Sequence, residues 1–242
     1  MIVRSKKCIF VHIPKVAGQS IETVLRAAAS ASGSVEEDFG LRKRRRGEAG
    51  PERLAHLTGI EYRDLGYVSR EEFQTYFKFA FVRNPWDRAY SIYRHFGLED
   101  YVGYEYFLRH ILCKGLRRKQ YWFVRPQCDF VLDANGEVCV DFLGRFETLD
   151  KDFAHAADVL GLNESRLPHV NRGSSRAKFK KLRALKRYPM VLSHAREIVR
   201  TALGRVTPRI SPEALAIIDE LYKCDIEQFD YQSARPAPTI AG

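Results

Sequence analysis

The chain contains no Cys-x-x-Cys pair, no long apolar run and no His, Cys and Asp residues at metal-ligand spacing. Each absence removes a class of protein. The five cysteines (Cys8, Cys113, Cys128, Cys139 and Cys224) are an odd number in a chain of 242 residues, which is too long to need a disulfide framework. Most are expected to be reduced and buried, and Cys8 and Cys139 sit in apolar, strand-like runs. Without ligand spacing, no metal site is expected. Without an apolar stretch of about 20 residues, no transmembrane segment is expected, and no secretory leader is evident. The expectation is a soluble domain, most simply cytoplasmic, with a membrane anchor outside this stretch left open. No internal repeat is visible.

What is present suits one large domain, or one domain with an appendage. A hydrophobic share of 45% and an aromatic share of 12% fit a globular core and argue against disorder. The net charge of +10 calls for an anionic partner: a nucleotide, a polyanionic polysaccharide, a nucleic acid or a membrane surface. No recognition motif supports the nucleic acid.

Two segments carry the same design. Lys7 to Ile13 reads as a buried strand, and Ile21, Val24, Leu25 and Ala28 have helical spacing behind it. Lys78 to Val82 reads as a second buried strand, ended by Pro85, with Trp86, Ala89, Tyr93 and Phe96 marking a helix face. Pro14 to Ser20 therefore joins a strand to a helix. Backbone N–H groups and the helix dipole favour an anion at such a junction. Pro14, Ala17, Gly18 and Gln19 supply backbone, Lys15 a mobile charge and Ser20 a hydroxyl; Gly18 is expected to let the backbone approach a ligand. The Walker A arrangement is absent, since Lys15 precedes the glycine, and this argues against ordinary ATP or GTP hydrolysis. At the second junction Arg83 offers a planar fork suited to phosphate oxygens, and Ser91 lies on the following helix. Arg88 is either a third phosphate contact or a surface salt bridge.

Elsewhere the reading is coarser. Residues 29–50, with the run Arg42-Lys43-Arg44-Arg45-Arg46, look like a mobile basic loop. Ser69, followed by Glu71 and Glu72, looks like a helix start. Phe130-Val131-Leu132 and Val138-Cys139-Val140 flank Asp133-Ala134-Asn135-Gly136, a hairpin signal. Helices are expected over Asp150 to Leu160 and from Ser211-Pro212-Glu213 onward. Residues 177–210 are expected to form a helical lid on the acceptor side, and 233–242 a frayed tail. Alternating strands and helices argue for an α/β fold with a parallel sheet.

The first junction, His12-Ile13-Pro14-Lys15-Val16-Ala17-Gly18-Gln19-Ser20, resembles the 5′-phosphosulfate loop of sulfotransferases, in the group that includes carbohydrate sulfotransferases. Val16 and Gln19 stand where that family usually has threonines. Phe81-Val82-Arg83-Asn84-Pro85 through Ser91 resembles the family's 3′-phosphate motif. Weaker similarities follow at Arg125-Pro126-Gln127, at Gly144-Arg145-Phe146-Glu147, at Leu167-Pro168-His169 and at Asp225 to Tyr231.

The resemblance implies a P-loop-like three-layer α/β/α domain over the whole chain, with a mainly parallel sheet. It implies 3′-phosphoadenosine-5′-phosphosulfate (PAPS) as donor, 3′,5′-adenosine bisphosphate (PAP) as product, no metal, and an acceptor hydroxyl, tilted toward a carbohydrate that is acidic in one variant of the reading. Lys15 would neutralise the leaving oxygen. His56 resembles the general base of carbohydrate 2-O-sulfotransferases, while His12 is the rival and is expected to orient Lys15 or the backbone. Arg172, with Arg176, would reach the 3′-phosphate from a late loop, and Glu147 would fix Lys15 or His56 or bond within the core. The alternative from another class is a non-catalytic relative that binds nucleotide or polyanion, which would have no need of His56.

Overall fold

A computed structural model describes residues 1–31, 43–99, 101–116, 121–168, 196, 199 and 210–232. Arg172, Arg176, His169, most of the 177–210 segment and the 233–242 tail, for which the sequence raises expectations, lie outside the described residues.

The fold is mixed α/β around a four-stranded, mainly parallel sheet. Strands β1 (Ile2–Val3), β2 (Cys8–Val11), β3 (Phe77–Val82) and β4 (Phe142–Arg145) lie in that order. β1 runs antiparallel to β2, while β2, β3 and β4 are mutually parallel. Every residue of β2 is fully buried, as a strand covered on both faces must be. Parallel register stacks Phe10 beside Phe79 and Phe79 beside Phe142. The Phe10 and Phe79 rings lie 5.1 Å apart, and Phe81 meets Phe142 edge-on at 6.3 Å. Lys78, the one charge in β3, is neutralised by Asp141, which takes its ammonium at 2.9 Å and its backbone N–H at 2.7 Å.

Among the described residues the contacts group into two compact units. One draws on 1–83 and 125–168. It holds the sheet with helices α1 (Gly18–Ala31), α2 (Gly59–Asp64) and α3 (Arg70–Thr75). The other draws on 84–124 and 210–232. It begins with α4 (Pro85–His95) and continues with α5, where Tyr104–Tyr106 runs into the π-helical Phe107–Leu116, and α6 (Tyr121–Val124). Back in the first unit come α7 (Cys128–Val131) and α8 (Leu149–Val159); α9 (Pro212–Leu221) and α10 (Lys223–Gln228) belong to the second.

Helix starts follow the capping chemistry of the sequence. Ser69 accepts from the Glu72 N–H while Glu72 accepts from the Ser69 N–H, a reciprocal box that opens α3. Thr58 and Glu61 do the same for α2. Asn84 caps α4 through the N–H groups of Trp86 and Asp87, with Pro85 at the first helical position.

Two expectations change. The proposed hairpin keeps its turn, with Asp133 accepting from the Asn135 and Glu137 N–H groups, but its first arm is the helix α7. Only an isolated antiparallel bridge joins Leu132 to Val138. Local turn chemistry survives where packing overrides strand propensity. Residues 29–31 of the expected loop belong instead to α1, which continues to Ala31; residues 32–42 lie outside the described residues, and Lys43 bridges Arg53. Within that bridged turn, Arg44 donates to the carbonyl of Gly50, and the backbone N–H of Arg45 to Glu48.

Candidate active site

The first junction is built as a concave loop between β2 and α1. Lys15 and Ala17 both adopt left-handed backbone, with φ of 74° and 66°. Neither is glycine, and each such residue costs about 1 kcal/mol or more, so the surrounding structure imposes the shape. Alternating hands of this kind turn successive N–H groups toward a common point, an anion-binding nest. The first turn of α1 carries no acidic residue to compete for that point. Pro14 and Gly18 are buried, while Lys15, Ala17, Gln19 and Ser20 are half-buried. Val16 is fully buried, so its side chain serves the core and the loop's donors are backbone groups.

Gly18 meets a packing requirement within the protein itself. A Cβ there would lie 2.0 Å from Cδ2 and Nε2 of His12. The missing side chain makes room for an imidazole of the same unit. That imidazole is itself held: His12 Nδ1 lies 2.7 Å from Glu22 Oε1, and both residues are almost wholly buried. A carboxylate only accepts, so His12 Nδ1 is the protonated nitrogen. Burial alone would raise the Glu22 pKa. The hydrogen bond from His12 and the charges of His12, the Met1 amino group and Arg26 outweigh it and bring it down to about 2. Arg26, one turn further along α1, donates to the other Glu22 oxygen at 2.9 Å.

His56 sits on the other side of His12. It ends the 3-10 turn Leu54–His56, ahead of the Thr58 cap, and is 3% exposed. Its Nδ1 lies 2.8 Å from the carbonyl oxygen of His12, and the two rings meet edge-to-face at 4.6 Å. A carbonyl cannot donate, so Nδ1 carries the hydrogen and the neutral ring's lone pair is on Nε2. Burial, followed by the charge of His12, holds the His56 pKa well below the ordinary imidazole range. Strand β2, the loop, α1 and the His56 turn therefore converge on one residue, His12, which uses its carbonyl, its ring face and its Nδ1 separately.

Arg83 leaves the end of β3 in the same unit. Its guanidinium stacks on Phe146 at 4.1 Å and approaches the Lys15 carbonyl at 3.4 Å. Its backbone is held by Gln127, which accepts from the Arg83 N–H at 2.9 Å and donates to the Arg83 carbonyl at 2.8 Å. Glu147 is exposed beside Phe146. In the second unit, Ser91 is half-buried on α4. Arg88 is fully buried there, donating to the Phe123 carbonyl with its guanidinium over the Tyr222 ring, so the surface salt-bridge reading falls. His95, His110 and His155 pack against aromatic rings.

Sequence reasoning brought Lys15, His56 and Arg83 to one unit but missed Glu22 and left Gln127 and Phe146 as mere markers. Glu22 had a signal: it stands one helical turn after Gly18, on the face that meets the loop. Among the described residues no cluster of His, Cys, Asp or Glu side chains could hold a metal ion, and no helix is long and apolar enough to cross a membrane.

A parallel α/β sheet with a left-handed loop after one strand, an arginine at the end of the next and a buried histidine in the same unit suits a domain that handles anionic ligands. The model of the sulfotransferase family matches residues 1–232, and the chain belongs to that family. No curated protein and no solved structure is a significant match.

Proposed function

We propose that this sulfotransferase uses PAPS and sulfates a hydroxyl, on a carbohydrate by resemblance, with His56 as general base. The observation that carries the reading is the fixed tautomer of His56: a buried, neutral imidazole whose Nδ1–H is committed to the His12 carbonyl. A group-transfer enzyme acting on a hydroxyl needs such a base, whereas a binding relic does not.

The donor supplies a sulfuryl group and a phosphate leaving group. In this reading the left-handed loop at Lys15 and Ala17 and the N-terminus of α1 take the 5′-phosphate, and Arg83 takes the 3′-phosphate. His56 Nε2 takes the acceptor's proton as its oxygen bonds to sulfur. The Lys15 ammonium neutralises charge on the departing oxygen, so this chain's own cations do the electrostatic work. Positioning and preorganised charge supply most of the acceleration in such in-line transfers.

The test pairs calorimetry with a transfer assay. His56→Ala should leave affinity for PAP within about twofold and lower transfer of labelled sulfate to a glycan panel by about 10²-fold or more. Lys15→Ala should weaken both. Normal transfer by His56→Ala would remove the base assignment. Failure of the unaltered, folded protein to bind PAP would favour a non-catalytic relative.

A further inference from the structure

Gln127 is fully buried, and its amide meets Arg83 with both a donor and an acceptor. Its Oε1 accepts from the Arg83 N–H at 2.9 Å, and its Nε2 donates to the Arg83 carbonyl at 2.8 Å. Arg83 is the first residue beyond β3, where strand pairing ends. A side-chain amide carries a donor and an acceptor in one rigid group, so it replaces the missing strand partner. A glutamate could not donate, and an apolar residue would leave two half-buried backbone groups without this partner.

The far end of Arg83 is fixed separately. The Phe146 ring lies 4.1 Å from the guanidinium carbon, on the 3-10 turn that follows β4. The Lys15 carbonyl, 3.4 Å from Nη1, ties the same guanidinium to the anion loop. Backbone and side chain are thus held by different elements: α7 supplies the cap residue Gln127, and β4 leads into Phe146. A planar fork recognises a phosphate only when held within a fraction of an ångström of the productive pose.

We infer that Gln127 and Phe146 are positioning residues that give the protein its discrimination for a nucleotide bearing a 3′-phosphate. Neither touches the nucleotide; both act through Arg83. The inference rests on the PAPS reading, and its test separates the two.

The experiment is calorimetric titration of the full chain with 3′,5′-adenosine bisphosphate and, in parallel, with 5′-AMP. Two variants are compared with the unaltered protein. Gln127→Met keeps the side chain's length and removes both hydrogen bonds. Phe146→Leu keeps apolar volume at a half-buried position and removes the ring face, which covers the case in which Gln127→Met fails to fold. The expected result is a loss of about tenfold or more for the bisphosphate in each folded variant. Affinity for 5′-AMP should stay within about twofold, because the 5′ loop is untouched. Unchanged discrimination between the two nucleotides in folded Phe146→Leu would overturn the inference, as would equal losses for both. Binding of neither nucleotide by the unaltered protein would instead overturn the donor reading itself.

Discussion

His12 touches the site at three points, and each has its own consequence. Its ring occupies the space a Cβ at position 18 would need, 2.0 Å from the ring atoms. Gly18→Ala should therefore expel the imidazole and loosen the Glu22 bond and the His56 contact together. We expect nucleotide affinity and transfer to fall in parallel. In a double-mutant cycle on urea-derived stability, Gly18→Ala with His12→Ala should cost less than the sum of the two by about 1 kcal/mol or more, because the second change vacates the space. The ionisable pair predicts a pH response as well. Glu22 titrates at about 2 in the folded protein against an ordinary 4.5. A lowered carboxyl pKa stabilises the fold above the unfolded value, and that stability is lost as pH falls from about 4.5 toward 2. Glu22→Gln should abolish this acid limb in pH-dependent denaturation. His56 is shifted the same way, so the unfolded chain takes up a proton near 6.5 that the folded site resists. Its share of stability is present above 6.5 and declines below it. For the base role proposed for His56, the corresponding kinetic signature is a kcat/KM profile whose acid limb lies below the ordinary imidazole pKa, since its ring stays neutral there.

At the scale of elements, the Phe81 ring of β3 lies against its register partner Gly144 in β4, which has no side chain. A Cβ on Gly144 would lie 2.5 Å from the Phe81 ring, which is fully buried and has nowhere to move. Gly144→Ala should lower stability by roughly 1–3 kcal/mol, measured by urea unfolding, and should also weaken the hold of Phe146 on Arg83 by displacing the end of β4. Two strands of the sheet were legible in the sequence for a physical reason. Strands buried on both faces must be continuously apolar, so Cys8 to Val11 and Phe79 to Val82 declare themselves, as does the helix start at Ser69, whose chemistry is local. The arm at Phe130 and Val131 was not legible, because a short apolar run has no period that separates a strand from one turn of helix. Of the proposed site, Lys15 and Arg83 were visible because a cation where a strand gives way to a helix is a local signal in the sequence. The supports were not. Gln127 lies far along the chain from Arg83, and Glu22 looks like an ordinary surface acid until α1 packs it against His12.

For the molecule as a whole, the net charge of +10 is larger than a nucleotide site alone requires, and it bears on the acceptor. Part of the basic run is spent internally: Lys43 faces Glu52 at 3.6 Å, and Arg44 donates to Gly50. The excess remains as a field that raises the local concentration of polyanions and is screened within about 10 Å at 0.1 M salt. An acidic or already sulfated polysaccharide should therefore respond to ionic strength in a way a neutral glycoside does not. With donor saturating at every salt concentration, raising salt from about 50 to 300 mM should increase KM for an acidic acceptor severalfold and leave kcat within about twofold, because screening weakens encounter and long-range attraction but not the buried chemistry proposed for His56. KM for a neutral acceptor should stay flat. Initial rates across that salt range, for one acceptor of each kind, measure the difference. A flat KM for the acidic acceptor would assign the excess charge to something other than acceptor capture, and a falling kcat would place screened charge inside the transfer step itself.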